Sequence, residues 1–427
     1  MVRILFICEL PPVPTVGGNM QRTNLISRAL GTFGSRELMV MQHPDVYAPD
    51  HEQRLLDEHN LVLSVPVTPR AQLKWGKWIG RDHPEGIDRL VRVLEHRSSL
   101  YSPDPVVHRA LERLLSQRHY DLIVGRYLRA TAWSGALNCP PVIVDLDDLD
   151  TQVARRHFET APRLSPVKAV ARWQLEQLGE VVPRLLSKTE HSWVSNPEDV
   201  PEVPHQHVSV LPNIPFLEKG DPGHEPIPPS LDSRVILSVG GMNQRVIPAF
   251  NQFIFNVWPK IKETVPSARY RIAGTGIDDN LKKSWGAVPG VEPIGFVSDL
   301  KDEYAGCAFT LVPFNRGGGT KIKVLESLSY GRTCLMYKHS NRGFDNILRN
   351  QESVWLANDE AEMGRSCANL LARPQLCARL GENGARHIAA NYTYDSFESE
   401  VHNTLAATLD RVKRRTSDPA DRALICA

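Results

Sequence analysis

Two doubly wound α/β domains are the architecture this sequence predicts, and three observations predict it. Short apolar runs recur along the chain, each followed by a stretch with apolar residues at helical spacing, which is the alternation of a parallel sheet wrapped in helices. That alternation stops at a segment rich in proline, glycine and charge, Pro212 to Pro229, and restarts beyond it. The length, 427 residues, suits two domains that each bury a full hydrophobic core.

Val2 to Cys8 is nearly all apolar, as a strand covered on both faces must be. Pro11, Pro12 and Pro14 follow, then Gly17-Gly18, and then a helix whose apolar face is Leu25, Ala29, Leu30 and Phe33. Strands are predicted at Leu38 to Met41, Leu122 to Val124, Val142 to Val144 and Ser192 to Ser195, with helices at Val106 to Leu115 and Trp173 to Leu186. Past the linker, strands are predicted at Val235 to Val239, Tyr270 to Ala273 and Phe309 to Val312. Helices are predicted at Pro248 to Glu263, Lys321 to Tyr330 and Glu360 to Leu371. The boundaries drawn are a first domain over 1–205, a hinge over 206–232, a second domain over 233–395, and a C-terminal helix and tail over 396–427. Two such domains facing each other leave a cleft at the carboxyl ends of both sheets.

Composition excludes several classes of function. Fifty Lys plus Arg stand against 49 Asp plus Glu, a balance without the basic excess of a nucleic-acid binder. The seven cysteines are scattered and form no CxxC pair, so neither a zinc site nor a disulfide framework is predicted, and a reducing cytoplasm fits. The N-terminal apolar run is shorter than a signal-peptide core, and no run is long enough to span a bilayer.

The strongest chemical signal is Pro313-Phe314-Asn315-Arg316-Gly317-Gly318-Gly319-Thr320-Lys321-Ile322-Lys323-Val324-Leu325-Glu326. Consecutive glycines between a strand and a helix let backbone N–H groups turn toward one point, and the helix start favours an anion. Arg316, Lys321 and Lys323 add formal charge for a phosphate or diphosphate. Lysines in a first helical turn oppose the macrodipole unless an anion sits there. Glu326, inside the helix, suits ribose hydroxyls. The structural alternative is a solvated basic turn.

Gly17-Gly18 occupies the equivalent loop of the first domain without GxGxxG spacing, so it reads equally as a tight turn or as a phosphate contact, with Arg22 nearby. Asp145-Leu146-Asp147-Asp148-Leu149-Asp150 follows a strand, where the carboxylates could cap a helix, hold a divalent metal or bind a hydroxyl. Arg126-Tyr127 also follows a strand, and Arg126 reads as a substrate contact or as a structural arginine. Gly274-Thr275-Gly276 is a turn where a nucleotide base can approach the backbone. The segment from Leu73 to Arg81 interleaves Trp75 and Trp78 with Lys74, Lys77 and Arg81, and it suits packed tryptophans or an anionic membrane surface. Arg411 to Arg415 is a second basic run.

An ordered series of pieces then resembles the retaining glycosyltransferases of family 4, which have the GT-B fold of two facing Rossmann-like domains. The pieces are Gly17-Gly18, Val210-Leu211-Pro212-Asn213, Val239-Gly240, Ile272-Ala273-Gly274-Thr275-Gly276, Gly295-Phe296-Val297, the Gly317 to Glu326 stretch, and Gly331-Arg332. The resemblance covers about residues 1 to 400. It implies transfer of a sugar from a nucleotide-sugar donor to a glycan or lipid-linked sugar acceptor, with retention and without an essential metal or other cofactor. Such work belongs to surface polysaccharide synthesis at the inner membrane face. It places the donor on Glu326, Gly317, Gly318, Gly319, Thr320, Gly274, Gly276, Phe296 and Asn213. It places catalysis on Lys321, Lys323, Arg245 and Asp147, and the acceptor or phosphate loop on Gly17, Gly18, Arg22, Arg126 and Asp148.

The sequence departs from the family pattern at several positions. The first of the family's two glutamates falls at Gly318. Gly241 and Val246 replace the usual Arg and Lys, with Arg245 adjacent. Arg126-Tyr127 stands where a cleft histidine is often found. Two other readings fit the same fold, a nucleotide-sugar epimerase and a catalytically decayed scaffold or binding protein.

Overall fold

The structure is a computed structural model that describes residues 1–15, 17–43, 47–67, 101–139, 141–161, 165–217, 225–228, 230–243, 246–314 and 322–417. The chain divides into two compact units. Unit 1 joins Met1–Pro212 to Phe397–Ala427, and unit 2 is Asn213–Ser396.

Unit 1 is built on seven parallel strands: β1 (Arg3–Cys8), β2 (Ser35–Val40), β3 (Val62–Ser64), β4 (Leu122–Arg126), β5 (Val142–Asp147), β6 (His191–Val194) and β7 (Val208–Val210). Their order in the sheet is β3-β2-β1-β4-β5-β6-β7, so the direction of winding reverses between β1 and β4. Ile4, Leu5, Phe6, Ile7 and Cys8 are fully buried, as a central strand with helices on both faces requires. The helix Gly18–Phe33 returns the chain from β1 to β2. The helix Pro105–Gln117 precedes β4, and its first amides, of Val106 and Val107, are capped by the Asp104 carboxylate. Its buried face of Val107, Leu111 and Leu114 joins Leu5, Ile7, Ile123 and Val144 in one core.

The helix Tyr394–Ser417 lies mostly in unit 1, although the sequence boundary set it apart as a tail. Its partners are far back in the chain. Trp193 Nε1 donates to Thr404 Oγ1 (3.1 Å), His402 Nε2 donates to Ala29 O (2.9 Å), and Arg411 Nη2 donates to Glu190 O (3.1 Å). Pairings of that sequence separation carry no local signal.

Unit 2 repeats the plan with six strands: β8 (Val235–Val239), β9 (Arg269–Ala273), β10 (Val291–Gly295), β11 (Phe309–Val312), β12 (Cys334–Tyr337) and β13 (Trp355–Ala357). Their order, β10-β9-β8-β11-β12-β13, reverses between β8 and β11. The helix predicted from Pro248 is instead three helical segments. Ile247–Gln252 and Trp258–Thr264 flank a widened π turn at Phe253–Val257. Pro259 has no N–H to continue the regular ladder, and the wider turn takes up the break. Arg332 is 1% exposed and ties the linker to this unit. It donates to the carbonyls of Ile227 (2.8 Å), Pro228 (3.0 Å) and Tyr304 (2.7 Å).

Candidate functional site

The carboxyl edge of the unit 2 sheet is built from turns that only glycine permits. β8 runs into Gly240, β9 into Gly274-Thr275-Gly276, and β10 ends at Gly295. Gly240 N donates to Ala273 O (3.0 Å), Met242 N to Thr275 O (2.7 Å) and Gly274 N to Gly295 O (2.7 Å), so the loops lie edge to edge. Gly240 and Gly274 both have φ of +149°, and Gly276 has +77°. A Cβ on Gly274 would lie 1.8 Å from Gly240 O, which is backbone and cannot swing aside. Phe296, just after β10, presents an apolar ring that is 67% exposed.

Lys323 and Glu326 rise beside these turns from the helix Ile322–Ser329, which follows β11. They are three residues apart and therefore neighbours on one helix face. Lys323 Nζ lies over the Phe314 ring, 4.8 Å from its centroid, and close enough to Gly240 that a Cβ there would sit 2.5 Å from the ammonium. The charge is thus held at the point where the strand order reverses. Both residues are half-buried, and neither side chain makes a hydrogen bond or ion pair with a described residue. Burial pushes Lys323 down to about 8, against the opposing pull of Glu326. Burial pushes Glu326 up to about 7, against the opposing pull of Lys323. A half-buried ammonium and carboxylate that no described residue pairs are suited to a ligand that brings an anion and hydroxyl donors.

The corresponding edge of unit 1 is differently made. Gly17 caps the first helix with an extended backbone (φ −147°), and a Cβ there would approach only the Asn19 side chain, at 3.1 Å. Gly18 is the first helical residue. Arg22, on that helix, grips Asp145 of β5 with two bonds, Nη2 to Oδ1 at 2.6 Å and Nε to Oδ2 at 3.0 Å. Arg126, the last residue of β4, reaches Asp145 Oδ2 (2.8 Å) and donates to Asp147 Oδ2 (2.8 Å). Arg22 and Arg126 are each 1% exposed and Asp145 is 0% exposed. Burial alone would lower the pKa of both arginines. The charges of Asp145 and Asp147 outweigh it for Arg22, and together with Tyr127 they do so for Arg126, so both are held above the ordinary value. The Arg126 guanidinium lies 3.8 Å from the centroid of the Tyr127 ring. Tyr127 (φ +67°) and Asp147 (φ +57°) both take left-handed backbone, which turns their side chains back toward this cluster.

The structure therefore brings Arg22, Arg126 and Asp147 together with Asp145 as an ion-pair network. Asp148 is half-buried, ahead of the helix Asp150–Thr160, and Asn213 is buried (5% exposed) at the start of unit 2. Among the described residues no group of three or more His, Cys, Asp or Glu is arranged to hold a metal ion. The ion-pair role of Asp145 and the close approach at Gly240 were not predicted. Asp145 acts through partners 123 and 19 positions away, and Gly240 acts by what its missing Cβ leaves room for, neither of which a local pattern reports. Gly317, Gly318, Gly319, Thr320, Lys321 and Arg245 lie outside the described residues, as does the Trp75 and Trp78 segment. In the C-terminal basic run, Arg415 pairs with Glu190.

Comparison with known proteins agrees with this geometry. Residues 233–373, which carry the glycine turns, Lys323 and Glu326, match the family of Glycosyl transferases group 1. Solved structures share the whole architecture. Sucrose-phosphate synthase from Thermosynechococcus elongatus superposes with a TM-score of 0.64 at 14% identity, covering 96% of this chain and 100% of that one. HepE from Anabaena, solved in complex with UDP-glucose, gives 0.61 at 14% identity, covering 95% and 100%. Likeness at that identity defines the fold, which is GT-B. The chain thus carries a segment that matches a group 1 glycosyl transferase domain, set in a GT-B fold. Among curated proteins it is similar to EpsD of Bacillus subtilis (strain 168), whose own name assigns a glycosyltransferase activity provisionally. The two are 29% identical over 156 residues, which take in 35% of this chain and 40% of EpsD. No helix among the described residues is long and apolar enough to cross a membrane.

Proposed function

We propose that the protein is a retaining glycosyltransferase that moves a sugar, of the hexose class, from a nucleotide-sugar donor to a glycan or lipid-linked acceptor. The observation that carries this reading is the Lys323–Glu326 pair, two half-buried opposite charges with no hydrogen-bond or ion-pair partner among the described residues, beside backbone turns built on glycine. In this reading Lys323 meets the diphosphate and offsets the charge that develops on it as the glycosidic bond breaks. Glu326 accepts hydrogen bonds from the ribose, and the exposed Phe296 ring covers the base. The lysine fills the role a divalent cation plays elsewhere, so no metal is required. HepE, which shares the fold, was solved with UDP-glucose, and this makes a uridine nucleotide the first candidate. A role in surface polysaccharide assembly, with the basic segments resting on an anionic membrane, is the biological setting this reading favours.

The test is calorimetric binding of UDP, GDP, ADP and dTDP, with and without chelator, to the wild type and to Glu326→Ala. One nucleotide binds without metal, and the variant weakens it at least tenfold, about 1.4 kcal/mol. If none binds even with Mg²⁺ or Mn²⁺ added, the transferase reading gives way to the scaffold one.

A further inference from the structure

Near Lys323 lies a buried polar group that the transfer chemistry described above does not use. The short helix Lys301–Gly306, ahead of β11, carries Tyr304. Its side chain is 0% exposed, and its Oη is buried without a hydrogen-bond partner among the described residues. The ring is already accounted for, since it stacks on Tyr330 with centroids 4.4 Å apart. A phenylalanine would keep that packing. The hydroxyl, by contrast, gives up its bonds to water for nothing in view, and such an atom calls for an explanation.

The surroundings of the hydroxyl supply one. Tyr304 and Lys323 line the same small, partly open cavity of about 10 Å³, whose other walls are Val239 at the end of β8 and Thr310, Leu311 and Val312 of β11. The cavity therefore sits at the reversal of strand order, against Lys323. Its size is that of one water, and a water needs at least two polar partners to be held. A phenol oxygen and an ammonium are such a pair, because the ammonium can only donate and the phenol can accept. The charge of Glu326 also reaches the phenol.

We propose that Tyr304 is a positioning residue of the nucleotide-sugar site, holding the Lys323 ammonium at the strand reversal through one water bound in this cavity. The inference rests on the reading that Lys323 meets the diphosphate. Tyr304 itself touches no substrate.

Tyr304→Phe keeps the ring and removes only the oxygen. Three readouts on the full chain separate the outcomes: thermal midpoint, UDP affinity as a function of pH, and UDP affinity in a Lys323→Ala background. The expected result is an unchanged or higher thermal midpoint together with affinity about three- to tenfold weaker, within the range of one net hydrogen bond. The weakening should vanish in the Lys323→Ala background, because the two residues act as a unit. The alkaline fall in affinity should also begin at lower pH. Around Lys323, Glu326 on its own helix and the Cys334 thiol on β12 remain in place, so the lost phenol oxygen is the only change. Equal affinity in wild type and Tyr304→Phe overturns the proposal and leaves the site reading intact. So does an equal loss in both backgrounds. A wild type that binds no nucleotide overturns the site reading and this inference with it.

Discussion

The two sheets reverse strand order in the same way and place charged side chains at the same edge, yet they use those charges in opposite ways. At the edge of the unit 1 sheet, Arg22 and Arg126 are ion-paired with Asp145, and Arg126 also with Asp147, in a mostly buried cluster. At the edge of the unit 2 sheet, neither Lys323 nor Glu326 has a hydrogen-bond or ion-pair partner among the described residues, and burial drives both toward neutrality. A charged residue after a parallel strand is therefore not a binding residue by position alone. What separates a structural charge from a ligand's partner is whether the fold has already supplied the counter-charge.

The sharpest way to break this comparison is Asp145→Ala. It strips the shared carboxylate from two buried guanidinium groups, and removing one partner from a buried pair costs about 3–5 kcal/mol. Urea denaturation should show that loss in unit 1, while nucleotide affinity, which the proposed function assigns to unit 2, stays within twofold or so in the remaining folded protein. Near-wild-type stability would mean that the network is not what holds this edge together. Strongly impaired nucleotide binding with stability intact would mean that its charges serve the ligand.

Glycines extend the contrast at a smaller scale. Gly274→Ala forces a Cβ against the Gly240 carbonyl, at a φ that L-residues avoid. Overpacking of that kind costs about 1–3 kcal/mol and should displace the turn on which Lys323 rests. Gly17→Ala meets only a mobile Asn19 side chain and an extended backbone, and should cost under about 1 kcal/mol as a poorer helix cap. Thermal midpoints of the two variants, measured side by side, test the difference. A larger loss at Gly17 would reverse the assignment of which loop depends on close backbone approach.

These residues also show how far the sequence could be read. β1, β8 and β11 were legible because a strand covered on both faces must be continuously apolar, and Ile4 to Cys8 are fully buried as that rule demands. β3, β7 and β13 are three residues each and sit in the outer parts of their sheets, too short to show a period. β10 was hidden by Glu292 and Pro293, whose irregular register a pattern of alternation does not anticipate. Within the candidate site, Lys323 was singled out by a helix that starts with lysines against its own dipole, and Glu326 by its place inside that helix. Arg22 and Arg126 were visible as charges, but that they close on Asp145 depends on sheet order, which brings together residues more than a hundred positions apart in one case. Tyr304 left no trace at all, because nothing in a sequence marks a hydroxyl as unpaired.

The last and smallest expected effect is the pH dependence of binding, and it carries the comparison into solution. Glu326 is held near 7, above its ordinary 4.5, so its contribution to folding is full below about 4.5 and is lost as pH rises through 7. Lys323 is held near 8, below its ordinary 10.5, so its contribution is full above that value and is lost as pH falls through 8. Between 7 and 8 both groups are mostly charged, and the cost to the free protein is greatest. A nucleotide diphosphate needs that same ionisation state, an ammonium for the phosphates and a carboxylate for the ribose. Affinity should therefore peak near pH 7.5 and fall about threefold by pH 6.5 and by pH 8.5, as the ionised fraction of one group or the other declines. Titrations across this range with Glu326→Gln assign the arms, since that variant should lose the acid arm and keep the alkaline one. A profile that is flat in the wild type, or an acid arm that survives in Glu326→Gln, would remove the pair from nucleotide binding. Substitution at Asp145 should move neither arm, because its charge is matched within unit 1.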